Sequence, residues 1–151
     1  MNEIEDIRTD KIMPYIYPDW EIVPFEECLN NQEIKFKKLK KNQIKVKGHF
    51  PVIDQGEKFI AGYVDDKDDL YQGSLPIIIF GDHTRRLKFI DFSFAVGADG
   101  TKLLKPYDAL IPKFFYYFLR TLRITSQGYS RHYRFLKNSD VPVPPLNEQH
   151  R

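Results

Sequence analysis

"IIIFGDHTRRLKFIDFSFAVGADGTKLLKP" (residues 77–106) carries the main fold signal of this chain. It opens on an apolar run, Ile77 to Phe80, short enough for a buried strand. A polar corner follows, Gly81-Asp82-His83-Thr84-Arg85-Arg86. Residues 88–96 then alternate as a strand does: Ile90, Phe92, Phe94 and Val96 share one face, and Lys88, Asp91, Ser93 and Ala95 fall outside it. Asp99-Gly100 turns the chain into Thr101–Leu104, a hairpin signal that needs positive φ.

On the N-terminal side, "HFPVID" and "KFIAGYV" read as strands around a turn at Gln55-Gly56. "DWEIVPFEECLNN" allows a short helix from Pro24. The alternation of "QIKVKG" predicts a lysine-guarded edge strand, and "DDKDD" reads as a loop. On the C-terminal side the period becomes helical. Pro112 opens a helix whose apolar stripe is Phe114, Phe115, Phe118, Leu119 and Leu122. Gly128 precedes an aromatic-basic stretch, "GYSRHYRFLK". Pro142, Pro144 and Pro145 hold the tail extended, and Asn147 is placed to cap a helix beginning at Glu148. The fold class expected is α/β (α+β): a single domain with a twisted, mostly antiparallel or mixed sheet and a few flanking helices. Residues 1–17 form a leader, 18–141 the domain, and 142–151 a proline arm that starts a longer helix, so the chain has the look of one module of something longer.

The chain's 151 residues fit one such domain. Net charge is +2, but the cations are clustered. No acid lies between Asp108 and Asp140, where Lys113, Arg120, Arg123, Arg131, Arg134 and Lys137 sit. None lies from Ile34 to Ile53, where the lysines run from Lys35 to Lys47. Acids gather at Asp65, Asp66, Asp68 and Asp69. One-sided patches of this kind favour a polyanionic partner. Cys28 is the only cysteine, which excludes an internal disulfide and fits a reducing compartment. No membrane span or signal peptide is read, and a cytoplasmic protein is expected.

Chemistry is sparse. No phosphate loop or dinucleotide fingerprint occurs, and His49, His83, His132 and His150 lack metal-ligand spacing. Pro18-Asp19 followed by Glu33-Ile34-Lys35 matches the loose pattern of metal-dependent nucleases, in which two carboxylates hold Mg²⁺ and a lysine assists water. That gives the alternative reading, a standalone nuclease through Asp19, Glu33 and Lys35. The plainer reading is surface charge. Asp82, His83 and Ser93 do not make a hydrolase triad, because no Gly-x-Ser-x-Gly elbow orders them.

The basic stretches offer a binding surface instead. Thr84, Arg85, Arg86 and Lys88 suit phosphate oxygens, and arginine can also grip guanine edges. Tyr129, Arg131, His132 and Arg134 interleave cations with flat rings. With Lys102 beyond the Asp99-Gly100 turn, these are the expected DNA-binding residues.

Four stretches, "FPVIDQGEKFIAGY", "IIIFGDHTRRLKFIDFSFAVGADGTKLL", "GYSRHYRFLK" and the closing "VPVPPLNEQHR", together resemble a target recognition domain of the type I restriction-modification DNA specificity (S) subunit. The resemblance implies a strongly twisted α/β fold. It implies an S subunit with two recognition domains, each joined to a long helix, the two helices pairing as an antiparallel spacer. Each domain reads half of a split double-stranded DNA target in the major groove. DNA methyltransferase subunits using S-adenosylmethionine dock on the S subunit and modify adenine, and a restriction subunit adds ATP-driven translocation and cleavage. The S subunit itself does no chemistry, so no catalytic, cofactor or metal residues are expected here. This chain departs from the full pattern in having one domain, with the spacer helix absent after Arg151; a second recognition domain or half-subunit is the implied partner. The "GDHTRR" corner and "GADGT" turn are then framework for a binding surface.

Overall fold

The structure, a computed structural model, describes residues 19–30, 36–126 and 131–150. In chain order the strands are β1 (Glu21–Pro24), β2 (Lys38–Leu39), β3 (Phe50–Ile53), β4 (Gly62–Val64), β5 (Ile77–Gly81), β6 (Leu87–Ile90), β7 (Ala95–Gly97), β8 (Thr101–Leu104) and β9 (Asp140–Val143). The helices are α1 (Pro112–Thr121), α2 (Tyr133–Lys137) and α3 (Leu146–Gln149). Mixed sheets and few helices match the α+β class expected. The fold divides into two compact units: Met1–Asn30 with Lys105–Arg151, and Asn31–Leu104.

In the second unit, the apolar run Ile77–Gly81 is buried throughout and forms the centre of an antiparallel sheet, β6-β5-β8. A second sheet, β2-β7-β3-β4, is mixed: β7 runs parallel to both β2 and β3, and β3 pairs antiparallel with β4. The two sheets bury a common cluster of Ile53, Tyr71, Ile77, Ile79, Ile90, Phe94 and Val96. Here the structure differs from the sequence expectation. Residues 88–96 are not one strand. β6 ends at Ile90, and the chain resumes as β7 in the other sheet. The alternation persists because Ile90, Phe94 and Val96 still enter that one cluster, with Phe92 packed against it.

The turn at Asp99-Gly100 has the positive φ expected, 71° at Gly100. It is no hairpin, however, since β7 and β8 belong to different sheets. The lysine edge strand also fails to form. Lys40 donates its backbone N–H to the Gln43 side chain at 2.9 Å, which curls residues 41–43 into a 3₁₀ turn. Only a single bridge, Lys45 to Tyr63, remains, and Val46 stands 88% exposed. "KFIAGYV" contributes only β4. The acidic loop holds a 3₁₀ turn, Lys67–Asp69, capped by the Asp66 carboxylate.

In the first unit, Phe25 heads a 3₁₀ turn (Phe25–Cys28) after Pro24, as expected, and packs its ring on Phe115 and Tyr133 at 5.9 and 6.0 Å. Pro112 stands in the first turn of α1, where its missing N–H costs nothing. The helix buries Phe115, Phe118 and Leu119, each contributing about 1.5–3 kcal/mol. β1 pairs antiparallel with β9, Glu21 opposite Val143. The tail is therefore held by packing. Its helix starts earlier than expected: Pro145, not Asn147, occupies the cap position of α3, without a side-chain cap. What fixes α3 is Gln149, buried at 7% exposure. Its side-chain nitrogen donates to the Ala109 and Pro144 carbonyls, both at 2.8 Å, and its oxygen accepts the Ile111 N–H at 2.7 Å. Trp20 adds a hydrogen bond from Nε1 to Glu148 Oε2 at 2.7 Å.

Candidate nucleic-acid interface

The corner between β5 and β6 is built around Gln55. The Gln55 side-chain oxygen accepts the backbone N–H groups of His83 (2.9 Å) and Thr84 (3.3 Å). Its side-chain nitrogen donates to the Asp99 carbonyl at 2.6 Å. One amide thus ties the β5–β6 corner to the β7–β8 turn. The glycines flanking it have a steric reason to be there. A Cβ at Gly81 would lie 2.8 Å from Gln55 Cβ, and one at Gly100 would clash with Gln55 Nε2. The framework role expected of "GDHTRR" and "GADGT" has this physical content, and Gln55 is the residue that sequence reading missed. Its only signal was a place in a turn between two strands.

Burial and hydrogen bonding set the residues of this corner apart. Arg85 and Arg86 are exposed, and Arg85 sits at φ 63°, the left-handed region that costs a side-chain-bearing residue about 1 kcal/mol. Thr84 is committed to the framework: its hydroxyl donates to the Gln55 carbonyl at 2.8 Å. Lys88 does not reach the surface. It is 6% exposed, and its ammonium donates to the Asp54 and Lys58 carbonyls at 2.7 and 2.8 Å. Burial lowers its pKa, opposed by nearby Asp54 and aided by Arg86. Lys88 is a structural cation, not a phosphate ligand. Lys102 is half-buried on β8.

The other expected residues lie in the first unit. Arg131 and Arg134 are exposed, the Arg134 guanidinium 5.0 Å from the Phe135 ring centroid. His132 is fully buried, its ring tilted against that of Phe135 at 6.2 Å, so it does not stand on the surface. Tyr129 lies outside the described residues, as do Glu33 and Lys35 of the nuclease pattern. Asp19 is exposed. Among the described residues, no group of three or more His, Cys, Asp and Glu side chains is placed to hold a metal ion.

Residues 17–151 match the family model of the type I restriction modification DNA specificity domain. The chain belongs to that family. Its similarity to the specificity subunit of the type I restriction enzyme EcoR124I/EcoR124II from Escherichia coli is 37% identity over 75 residues, covering 48% of this chain and 19% of that subunit. Among solved structures, the S subunit of a type I restriction-modification system from M. genitalium superposes with a TM-score of 0.66 at 17% identity, over 98% of this chain and 42% of that one. The HsdS subunit from Thermoanaerobacter tengcongensis gives 0.59 at 15% identity, over 97% and 40%. These likenesses fix the fold; this chain spans about two fifths of those structures' length.

In this specificity domain the lysine run is less free than its sequence implies. Lys45 Nζ lies 2.9 Å from Asp65, His49 Nδ1 is also 2.9 Å from it, and Lys37 Nζ is 3.4 Å from Asp69. The hydrogen bond from Lys45, then those from His49, hold the Asp65 carboxyl down at about 2. The acidic loop thus offsets part of the run. No described helix is long and apolar enough to cross a membrane.

Proposed function

We propose that this chain is a DNA-reading module that recognises one half of a split double-stranded target for a type I restriction-modification complex and performs no chemistry itself. The observation that carries the reading is the family match over residues 17–151. The geometry supports it. The Gln55 clamp presents Arg85 and Arg86 outward on a fixed frame, and Arg131 and Arg134 stand exposed on the other unit. Guanidinium groups hold phosphate oxygens and guanine edges bidentately, so such a frame can both position the duplex and read it.

The partners follow from the family reading: duplex DNA, methyltransferase subunits that supply S-adenosylmethionine chemistry, a restriction and translocation subunit, and a second recognition domain. Residues 18–141 serve as the recognition domain and residues 142–151 as the arm that opens the spacer helix. α3 suits that role, because Gln149 and Trp20 fix its direction. The cytoplasm is the compartment of this work. The test is an assembly assay. This chain joined to the spacer helix and second recognition domain of a family member, and mixed with that member's methyltransferase subunits, is expected to be captured by them and to direct adenine methylation. Failure of capture, or DNA cleavage by this chain alone with Mg²⁺, would overturn the proposal.

A further inference from the structure

We propose that the outward face of α1, formed by Lys113, Tyr116, Tyr117 and Arg120, is a further DNA contact that grips the phosphate backbone of the duplex; this rests on the DNA-reading function proposed above. The spacing of these residues, i, i+3, i+4 and i+7, puts them on one side of the helix. Phe115, Phe118 and Leu119 occupy the buried side. The outward side is unusual for a solvated helix face. Tyr117 is 52% exposed, its ring lies 5.4 Å from that of Tyr116 edge-on, and the Arg120 guanidinium sits 5.7 and 5.8 Å from the two ring centroids. Lys113 is exposed, and so is Arg123 just beyond the helix. A face kept soluble by charge alone would mix acids with its cations, yet α1 carries no acid, and none occurs from Ala109 to Ser139.

The chemistry selects the partner. Guanidinium, ammonium and phenol are all hydrogen-bond donors, which suits acceptor-only phosphate oxygens. The two rings restrict the Arg120 side chain, so less rotamer freedom is lost when it meets an anion. A protein surface is the less fitting occupant, because nothing on the face answers a partner's cations. The polyanion of duplex DNA matches all of its charges.

The experiment uses the whole chain and a fluorescently labelled duplex, with affinity measured by anisotropy over a salt series. Lys113→Gln combined with Arg120→Gln is expected to lower affinity several-fold. It should also reduce the slope of log affinity against log salt by about 2, since each phosphate contact contributes about 0.9. Tyr117→Ala is expected to lower affinity while leaving the slope in place. Unchanged melting temperatures establish that the variants fold, and Arg86→Gln serves as the comparison at the β5–β6 corner. Wild-type affinity and slope in the double variant, alongside weakened binding by Arg86→Gln, would overturn the α1 contact and leave the proposed function standing. Intact DNA binding with lost capture of methyltransferase subunits would overturn it in favour of a protein dock. No duplex binding by the wild-type chain would remove both.

Discussion

Gln55 and Asp99, far apart in sequence, are joined by a 2.6 Å hydrogen bond from the Gln55 side-chain amide to the Asp99 carbonyl. The same side chain accepts from the His83 and Thr84 backbones, so three main-chain groups depend on it. Gln55→Ala is expected to destabilise the chain by about 0.5–1.5 kcal/mol, since the hydrogen bonds it removes are exposed or part-buried and water can take them up. Gln55→Glu keeps the acceptor but sets a carboxylate against the Asp99 carbonyl, and should also lower stability. Urea unfolding of both variants checks this; wild-type midpoints would show that the clamp is incidental.

Lys88 and Arg86 are close in sequence and opposite in role. Lys88→Ala leaves the Asp54 and Lys58 carbonyls without their charged donor, a loss of about 1.5–3 kcal/mol in stability. Arg86→Ala, at an exposed position, should shift stability by less than about 0.5 kcal/mol and weaken DNA binding. Thermal melts and DNA titrations on both variants separate the two roles.

Arg85 holds a left-handed backbone that glycine adopts without strain. Arg85→Gly is expected to keep or raise the melting temperature while weakening DNA binding. A variant that melts lower and binds normally would mean that the arginine serves the fold.

The Cys28 thiol is fully buried, and its pKa is pushed from 9.0 to about 12, first by burial and then by the charges of Glu27 and Asp140. Because the folded pKa is the higher one, the unfolded state loses its thiol proton first as pH rises. The stabilisation is complete below pH 9.0 and is lost progressively towards about 12. Melting temperature should therefore fall in that window, and fall less in Cys28→Ala relative to its own neutral-pH value. Ellman's reagent should label Cys28 only on unfolding.

Much of this was legible locally. The apolar run of β5, the Phe115–Leu119 stripe of α1 and the Gly100 turn follow from short-range pattern, and the family was met as a resemblance of four stretches. The closing "VPVPPLNEQ" makes physical sense as a motif, because the Gln149 side chain secures three backbone groups that no apolar residue could satisfy. What escaped was long-range. Nothing near Glu21 announces its pairing with Val143. The alternation from Ile90 to Val96 is indifferent to a change of sheet when both sheets line one core. Lys88 shares the parity of Ile90 and pairs with Ile79, so its inward direction was written in the pattern and was overruled by its charge. The burial of His132 and the commitment of the Thr84 hydroxyl likewise depend on neighbours that only the fold supplies.

The most direct test of the central claim is the salt dependence of duplex DNA binding by this chain. For a module proposed to read half a target, the affinity should lie near the nonspecific range, roughly 10⁻⁴ to 10⁻⁶ M. Titration of labelled duplex across a salt series should give log affinity falling linearly with log salt, with a shallower slope in the Arg85→Ala, Arg86→Ala double variant. Absence of binding at low salt, or binding that ignores salt, would contradict the account.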